Sequence, residues 1–421
     1  MYLILGLGIS NLAVVNKLKE LNKKMIIAVN EDEKVNAKET GISVIGFSEI
    51  QFLNLNKIKY VIKSPGIPYH NKYVKYLRKN NVKILNEIEL TYYLSNKKGF
   101  YIGVTGSVGK SSVVSLLYEL IKSKYQNVIL AGNIGVPLIT CLDKIDKDTI
   151  IILEVSSFQL DDFIDIRFNI ALLLNIYDNH LDFYLNKTRY YKSKLKITNN
   201  QRKKDYFISD FSNEIISKYY KCNSKIIDYK KRFHVYYDDL YYDLTKIVSL
   251  NEYNLIGKDN LYNLMSVISI LRILKIDLDI TTLKKFKPLK YHLEKYSINN
   301  KTFVNDSKST CASSLESAIK NFNSDKLILL FGGYNKNLNF EFLENYNFKK
   351  LICFGKLSNQ LMNVKCIRFE HLKEAIIFAL KTSKSEDIIL FSPGCASFDE
   401  FTSYAQRGKY FDDLVRDYYD K

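Results

Sequence analysis

The stretch Gly103-Val104-Thr105-Gly106-Ser107-Val108-Gly109-Lys110-Ser111-Ser112 carries the residue types needed to hold a triphosphate. Glycines let backbone N–H groups close around phosphates, and a helix starting after them adds partial positive charge. Lys110 reaches the β and γ phosphates, and Ser111 can ligate Mg²⁺. Gly106, Ser107, Gly109, Lys110, Ser111 and Ser112 are therefore the expected ATP contacts. A strict Walker motif wants Gly where Val104 stands; here the glycine comes later, inside TGSVGKSS. Downstream, the apolar run IIILEV contains Glu154, and a second run ends at Asn175, five residues before His180. Magnesium prefers oxygen ligands, so Glu154 suits it, whereas a histidine beside a carboxylate suggests a second divalent site that could take Mn²⁺.

These residues need strands to carry them. Phe100–Val104 is an apolar strand, and the positions Val113, Val114, Leu117, Leu120 and Ile121 fall on one face of a following helix. The spacing predicts further strands at Thr149–Val155 and Ile170–Leu174, whose carboxyl ends would form a ligand crevice. An earlier block reads as strand Tyr2–Leu5, turn Gly6-Leu7-Gly8 and helix, then strands Met25–Val29, Tyr60–Ile62 and Val82–Leu85. Its GxG has no third glycine, which argues against NAD. A later block carries strands Lys326–Phe331, Leu351–Phe354 and Ile388–Phe391, while Asn200–Ile256 shows no interpretable motif. The alternation of strands and helices predicts an α/β fold of three domains, at 1–97, 98–297 and 298–421, with a linker at Ser95–Gly99. The first and last read as Rossmann-like, and the central one as a P-loop domain with a mostly parallel sheet.

Composition narrows the class. With 47% hydrophobic and 25% charged residues over 421 positions, the chain is an ordinary globular one, too long to depend on disulfide staples. Its six cysteines form no CxxC pair and read as free thiols. The apolar start MYLILGLGISNLAVV lacks a basic leader and a cleavage site, so it reads as a strand, turn and helix. No apolar run is long enough for a membrane span, and a cytoplasmic protein is expected. The net charge of +17, from 62 basic and 45 acidic side chains, suits anionic substrates.

Taken together, TGSVGKSS, Asn133-Ile134-Gly135, EVSSFQLD and the Asn175 to His180 spacing resemble the ATP-dependent Mur ligases of peptidoglycan precursor synthesis. Ser64-Pro65-Gly66-Ile67, Asn305-Asp306-Ser307-Lys308, Gly332-Gly333 followed by Lys336, and Ser392-Pro393-Gly394-Cys395-Ala396-Ser397 extend the likeness over nearly the whole chain. Within the family the set is most similar to the branch that adds D-glutamate to UDP-N-acetylmuramoyl-L-alanine. The resemblance implies an acyl-phosphate route, and a three-way division into UDP-sugar, ATP and amino-acid domains. It implies two divalent sites served by Ser111, Glu154 and His180, and a lysine carbamylated by CO₂ as a further metal ligand. YxxxKLxI points to Lys194 for that role, although three lysines crowd the segment. UDP-sugar contacts are implied at Gly8, Ser10, Asn11, Ser64, Gly66 and Asn133. Further ATP contacts are implied at Asn260, Asp306 and Lys308, with Asn263 beside the adenine. D-Glutamate contacts are implied at Lys336, Ser397 and Tyr404. A monomer acting on small molecules, with no nucleic-acid partner, is expected.

Three positions depart from the family pattern: Asn179 stands before the metal histidine in place of Asp, Leu293 follows His292 where Arg is usual, and Asp259 replaces a histidine. A neighbouring Lys290 or Lys295 could supply the charge lost at Leu293. Other readings of the sequence are a Mur ligase of different specificity, a folylpolyglutamate synthetase, a catalytically idle descendant, or a nucleic-acid-stimulated P-loop ATPase. The first block disfavours the folate enzyme, and the single Glu154 followed by SSFQ disfavours the last.

Overall fold

The computed structural model describes every residue except 178–180, 185, 254–256, 288, 336–337, 362 and 421. His180, Asn179 and Lys336 thus lie outside the described residues. Four sheets are present among those described. The first has order β3-β2-β1-β4-β5, from β1 (Tyr2–Leu5), β2 (Met25–Val29), β3 (Val44–Gly46), β4 (Tyr60–Lys63) and β5 (Ile84–Leu85), all parallel. The second has order β11-β10-β9-β6-β8-β7, from β6 (Phe100–Thr105), β7 (Val128–Gly132), β8 (Ile150–Glu154), β9 (Ile170–Leu173), β10 (Tyr206–Ser209) and β11 (Lys225–Asp228), also parallel. A small third sheet joins β12 (Phe233–Tyr236), β13 (Asp239–Tyr242) and β14 (Thr245–Ser249), with β12 and β13 antiparallel. The fourth has order β15-β16-β20-β17-β18-β19, from β15 (Glu294–Ile298), β16 (Lys301–Asn305), β17 (Leu327–Gly332), β18 (Lys350–Phe354), β19 (Ile367–Phe369) and β20 (Ile388–Gly394); only β15 runs antiparallel.

The apolar runs explain the parallel sheets. Every residue of β8, β9 and β17 is buried, as expected for strands covered by helices on both faces. The differences from the sequence reading lie where that signal fades. The stretch without a motif holds β10 to β14, and β15 pairs ahead of the expected start of the last block. Among the described residues no helix is long and apolar enough to cross a membrane.

Packing divides the chain into two compact units. One comprises Met1–Ile176, Phe183–Val248 and Met265–Asp279; the other comprises Tyr177–Asp182, Ser249–Leu264 and Ile280–Lys421. The first unit contains both the first and the second sheet, and the helix Glu87–Leu94 stitches them together. Its Leu90 packs into the core of the first sheet, while Ile88 and Tyr92 pack into the core of the second. Asn86, at the N-cap, donates from Nδ2 to the Gln159 carbonyl at 2.6 Å. Glu87 Oε1 accepts the Ile139 N–H at 2.5 Å, and the Glu89 carboxylate accepts the N–H groups of Asp165 and Ile166.

Burial pushes the Glu87 carboxyl up to about 7, against an ordinary 4.5. A folded-state value above the unfolded one means that the contribution is complete at low pH and is lost as pH rises through about 7. Thermal stability should therefore fall between about pH 4.5 and 7. Glu87→Gln, which keeps the acceptor for Ile139, should flatten part of that fall, worth about 3 kcal/mol. Melting temperatures of both proteins across that range check this.

Candidate active site

In the second sheet, the chain enters at β6, adds β7 and β8 on one side, and then β9 to β11 on the other. The switch point lies beside β6, where ligands of open α/β sheets bind. The phosphate loop leaves β6 there. Gly109 takes φ +88° as the N-cap of the helix Lys110–Lys122, a conformation that favours glycine. The first-turn N–H groups have no acceptor within the helix and face a prospective anion.

The front half of the loop is held by protein. Asn175, just beyond β9, accepts the N–H groups of Ser107 and Val108 on Oδ1, each at 3.0 Å, and donates from Nδ2 to the Val108 carbonyl at 3.1 Å. The Ser107 hydroxyl meets the Tyr190 hydroxyl at 2.9 Å. In the second half, Gly109 to Ser112, the first-turn N–H groups of the helix remain to face a phosphate. Asn175→Ala removes three hydrogen bonds worth about 1 kcal/mol each. The expected result is a KM for ATP raised about tenfold or more with the KM for the second substrate unchanged, read from steady-state kinetics.

Glu154 closes β8, beside Val104 of β6. It is buried; Ser111 Oγ donates to Oε2 at 2.7 Å and Asn133 Nδ2 donates to Oε1 at 2.8 Å. Gly132 permits this wrap: its φ is +105°, and a Cβ there would lie 2.3 Å from the Glu154 carbonyl oxygen. A carboxylate and a hydroxyl are hard oxygen donors and fit Mg²⁺, which takes its remaining ligands from phosphate and water. Among the described residues no group of three or more His, Cys, Asp or Glu could hold a metal by itself.

Lys194 lies on the helix Lys187–Leu195, which is capped by Asn186. It is the buried one of the three crowded lysines; Lys192 is exposed, and Lys196 pairs with Asp161 at 2.9 Å. Its ammonium nitrogen donates to the Gly106 carbonyl at 2.8 Å, the same oxygen that accepts Lys110 Nζ at 2.8 Å. Burial first, and the positive Lys110 second, push the Lys194 amine well below its ordinary value, with Glu154 pulling the other way. Lys110, Glu154 and Lys194, which are far apart in sequence, thus meet at one loop.

In the first sheet the switch point falls between β1 and β4. The Gly6–Gly8 turn follows β1, and the Ser64–Ile67 loop follows β4. The two pack together: a Cβ on Gly6 would meet Ile67 at 2.9 Å and Ser64 at 3.2 Å, and one on Gly8 would meet Ser64 Oγ at 3.3 Å. Gly8 caps the helix Ile9–Glu20, which places Ser10 in its first turn. Asn11, expected at the UDP-sugar, has its amide nitrogen engaged inside the sheet. It is fully buried, and its Nδ2 donates to the carbonyls of Leu5, Gly6 and Ile62, so it locks β1 to β4 from inside.

In the second unit, the loops after β16, β17 and β20 come together. Tyr334 N–H donates to the Ala396 carbonyl at 2.9 Å, joining two of them. Arg407, which the sequence reading missed, joins all three. Wholly buried, it donates from Nε to Ser307 Oγ, from Nη2 to the Ser307 carbonyl and from Nη1 to the Cys395 carbonyl, at 2.9 to 3.1 Å, and a Cβ on Gly333 would lie 3.1 Å from Nη1. Its only sequence signal is its place three residues after Tyr404. Lys308 Nζ stands 4.0 Å from the centre of the Tyr404 ring, so a residue expected at ATP and one expected at D-glutamate touch. Ser397 is buried. Asp306 turns inward: Oδ2 accepts the Ser392 hydroxyl at 2.7 Å, Oδ1 accepts the Leu293 N–H at 3.2 Å, and burial pushes its carboxyl up to about 7. In the same unit, Asn263 Nδ2 donates to Asn260 Oδ1 at 3.2 Å, so the two asparagines expected beside the adenine are paired.

Comparison with known proteins follows these sites along the chain. The Mur ligase middle domain matches residues 104–271. UDP-N-acetylmuramoylalanine–D-glutamate ligase of Bacillus subtilis (strain 168) is 31% identical over 98% of this chain and 97% of its own. The enzymes of that name from Geobacillus sp. (strain WCH70) and Caldicellulosiruptor saccharolyticus are each 30% identical, over 97% and 99% of this chain and 96% and 98% of theirs. The chain belongs to the Mur ligase family. Solved Mur ligases share its fold: the MurF ligase of Thermotoga maritima in complex with ADP has a TM-score of 0.60 at 16% identity, covering 93% of this chain and 95% of its own. The UDP-N-acetylmuramate–alanine ligase of the same organism has a TM-score of 0.58 at 17% identity, covering 99% of both chains. As a Mur ligase, this protein is an ATP-dependent ligase, and the P-loop, Glu154 and Lys194 described above belong to its middle domain.

Proposed function

We propose that this Mur ligase joins the amine of D-glutamate to the terminal carboxylate of UDP-N-acetylmuramoyl-L-alanine. The observation that carries the reading is the meeting of Lys110, Lys194 and Glu154 on one phosphate loop, in a chain similar along its length to three D-glutamate ligases. The substrate carboxylate attacks the γ-phosphorus of ATP, and ADP leaves. The amine of D-glutamate then attacks the acyl carbon, loses a proton, and expels inorganic phosphate. Carboxylate and γ-phosphate repel each other, so the site must neutralise charge before it can do chemistry. Lys110 supplies a fixed cation at the β and γ phosphates.

Ser111 and Glu154 would hold Mg²⁺, with His180 at a second site; a bound divalent ion screens the phosphates and polarises the transferring group. Lys194 is suited to carbamylation. Its depressed amine is available as the neutral nucleophile that CO₂ requires, and the carbamate formed, with release of one proton, would be an anionic oxygen ligand. In the first unit, Gly8, Ser10, Ser64 and Gly66 would hold the UDP-sugar, and Asn133 would steady Glu154 while reaching toward the muramoyl end. In the second unit, Lys336, Ser397 and Tyr404 would hold D-glutamate. Three functional domains, at 1–97, 98–297 and 298–421, fit this division of tasks. The reading is tested by phosphate release with UDP-N-acetylmuramoyl-L-alanine and a panel of D- and L-amino acids. D-Glutamate should dominate; preference for another amino acid would reassign the specificity, and silence across the panel would overturn the reading.

A further inference from the structure

The first unit contains a buried ion pair that neither the phosphate site nor the sequence motifs account for. Lys63 is the last residue of β4, at the switch point of the first sheet, and Asp162 follows the EVSSFQLD segment of the second. Lys63 Nζ and Asp162 Oδ2 are 2.9 Å apart, with side-chain exposures of 2% and 1%. A pair so deep costs desolvation energy on both ions, and an apolar pair of similar size usually serves stability as well or better. Its position accounts for the charge. The same ammonium donates to the carbonyls of Ser64 at 3.2 Å and Ile67 at 2.8 Å, the two ends of the SPGI loop, and so fixes that loop's shape. Asp162 takes a second, longer contact from Arg78 at 3.4 Å, which leaves Lys63 as its close partner.

The segment that holds Asp162 also frames the reaction centre. It begins at Glu154. The Ser157 carbonyl accepts the hydroxyl of Ser193, the residue next to Lys194, at 2.7 Å, and Asp161 pairs with Lys196 on the same stretch. Asn86 ties Gln159 to the helix Glu87–Leu94. The Glu154–Asp162 stretch, with these polar contacts along it, thus links the loop at the first sheet's ligand crevice to the carboxylate and the lysine at the phosphate loop.

We propose that Lys63, through Asp162, is a positioning residue that sets the SPGI loop, and with it the nucleotide-sugar substrate, at the reach required by the Glu154 and Lys194 site. The inference rests on the proposed function, because it takes the SPGI loop as part of the UDP-sugar site.

The test uses the full-length enzyme, Lys63→Met, and the double variant Lys63→Met with Asp162→Leu. The single variant leaves a buried carboxylate without its close partner and should lose stability; the double variant removes both ions and should recover it. Loss of two charge-assisted contacts to the loop should raise the KM for UDP-N-acetylmuramoyl-L-alanine about tenfold or more in both variants, with the KM for ATP within about twofold of wild type. Calorimetric binding of the same UDP-sugar should weaken in parallel. Recovery of a normal UDP-sugar KM in the stable double variant would show a merely structural pair and overturn the inference, as would an equal rise in both KM values. If the wild-type enzyme fails to bind the UDP-sugar, the functional reading falls and this inference with it; normal wild-type binding with unaltered variants removes the inference alone.

Discussion

Lys194→Ala is expected to lower turnover by about two to three orders of magnitude while leaving the fold and ATP binding in place. The side chain is buried in the first unit, its nitrogen donates to the Gly106 carbonyl, and burial together with Lys110 disfavours its ammonium form. A lysine placed there only to bind phosphate would do better charged and exposed to the ligand, as Lys110 can be. Its lowered pKa instead favours the neutral amine that the proposed reaction with CO₂ requires. On the proposed carbamylation, truncation to alanine would remove the carbamate and, with it, an anion that would balance divalent charge beside the γ-phosphate; loss of a single preorganised electrostatic group costs about 10²- to 10³-fold in other enzymes. Short carboxylic acids, small enough to enter the vacated space, should restore part of the activity. Acidic pH should depress wild-type turnover as the amine protonates and the carbamate is lost. Lys192→Ala, at the exposed neighbour, should behave like wild type. Full activity of Lys194→Ala, or a carbon-13 spectrum of labelled enzyme with no carbamate signal, would remove the assignment.

Glu154→Gln is the second large effect. The substitution keeps the length of the side chain, but it removes the charge that faces Ser111 and turns an amide N–H toward a donor, Ser111 Oγ or Asn133 Nδ2. A fall in kcat of about a thousandfold is expected, accompanied by a higher Mg²⁺ requirement, since a neutral amide is a poorer ligand for a hard cation. The sign of a second consequence separates the two residues. Glu154 raises the Lys194 pKa, so its neutralisation lowers that pKa further and leaves the amine more available to CO₂. Activity lost in Glu154→Gln therefore cannot be attributed to a protonated Lys194. Mg²⁺ titrations at saturating ATP check the point; an unchanged Mg²⁺ dependence would take Glu154 out of the metal site.

The parts of this site that were legible in the sequence are those written into local pattern. The apolar runs before Thr105, around Glu154 and before Asn175 set three neighbouring parallel strands, and their carboxyl ends bring the phosphate loop, the carboxylate and the asparagine together because chain direction and sheet order require it. What was not legible depends on which tertiary partner a polar side chain finds. Asn11 follows a glycine turn like a ligand contact, yet three carbonyls in the interior claim its amide. Lys63 and Arg407 sit among many basic residues, and nothing in their neighbours marks them as buried. Leu293 stands where the resemblance implied an arginine. Its backbone, at φ +50°, donates to Asp306, and its side chain packs against the core beneath β16, β17 and β20. The side chain thus has a packing role, at the cost of a left-handed backbone, and no replacement charge is placed at this position. Lys290, one candidate for the substitute, pairs with Glu294 at 3.6 Å. The small sheet β12 to β14 escaped because its strands are short and half-exposed, with Tyr241 and Tyr242 on opposite faces of β13, too little pattern for a period of two to stand out.

The central claim is that this enzyme activates the carboxylate of UDP-N-acetylmuramoyl-L-alanine as an acyl phosphate and passes it to D-glutamate. Oxygen-18 placed in that carboxylate reads the chemistry directly. With ATP, Mg²⁺ and D-glutamate present, each inorganic phosphate released should carry one labelled oxygen, and release should depend on both the UDP-sugar and the amino acid. Phosphate free of label, or released at the same rate without D-glutamate, would contradict the account.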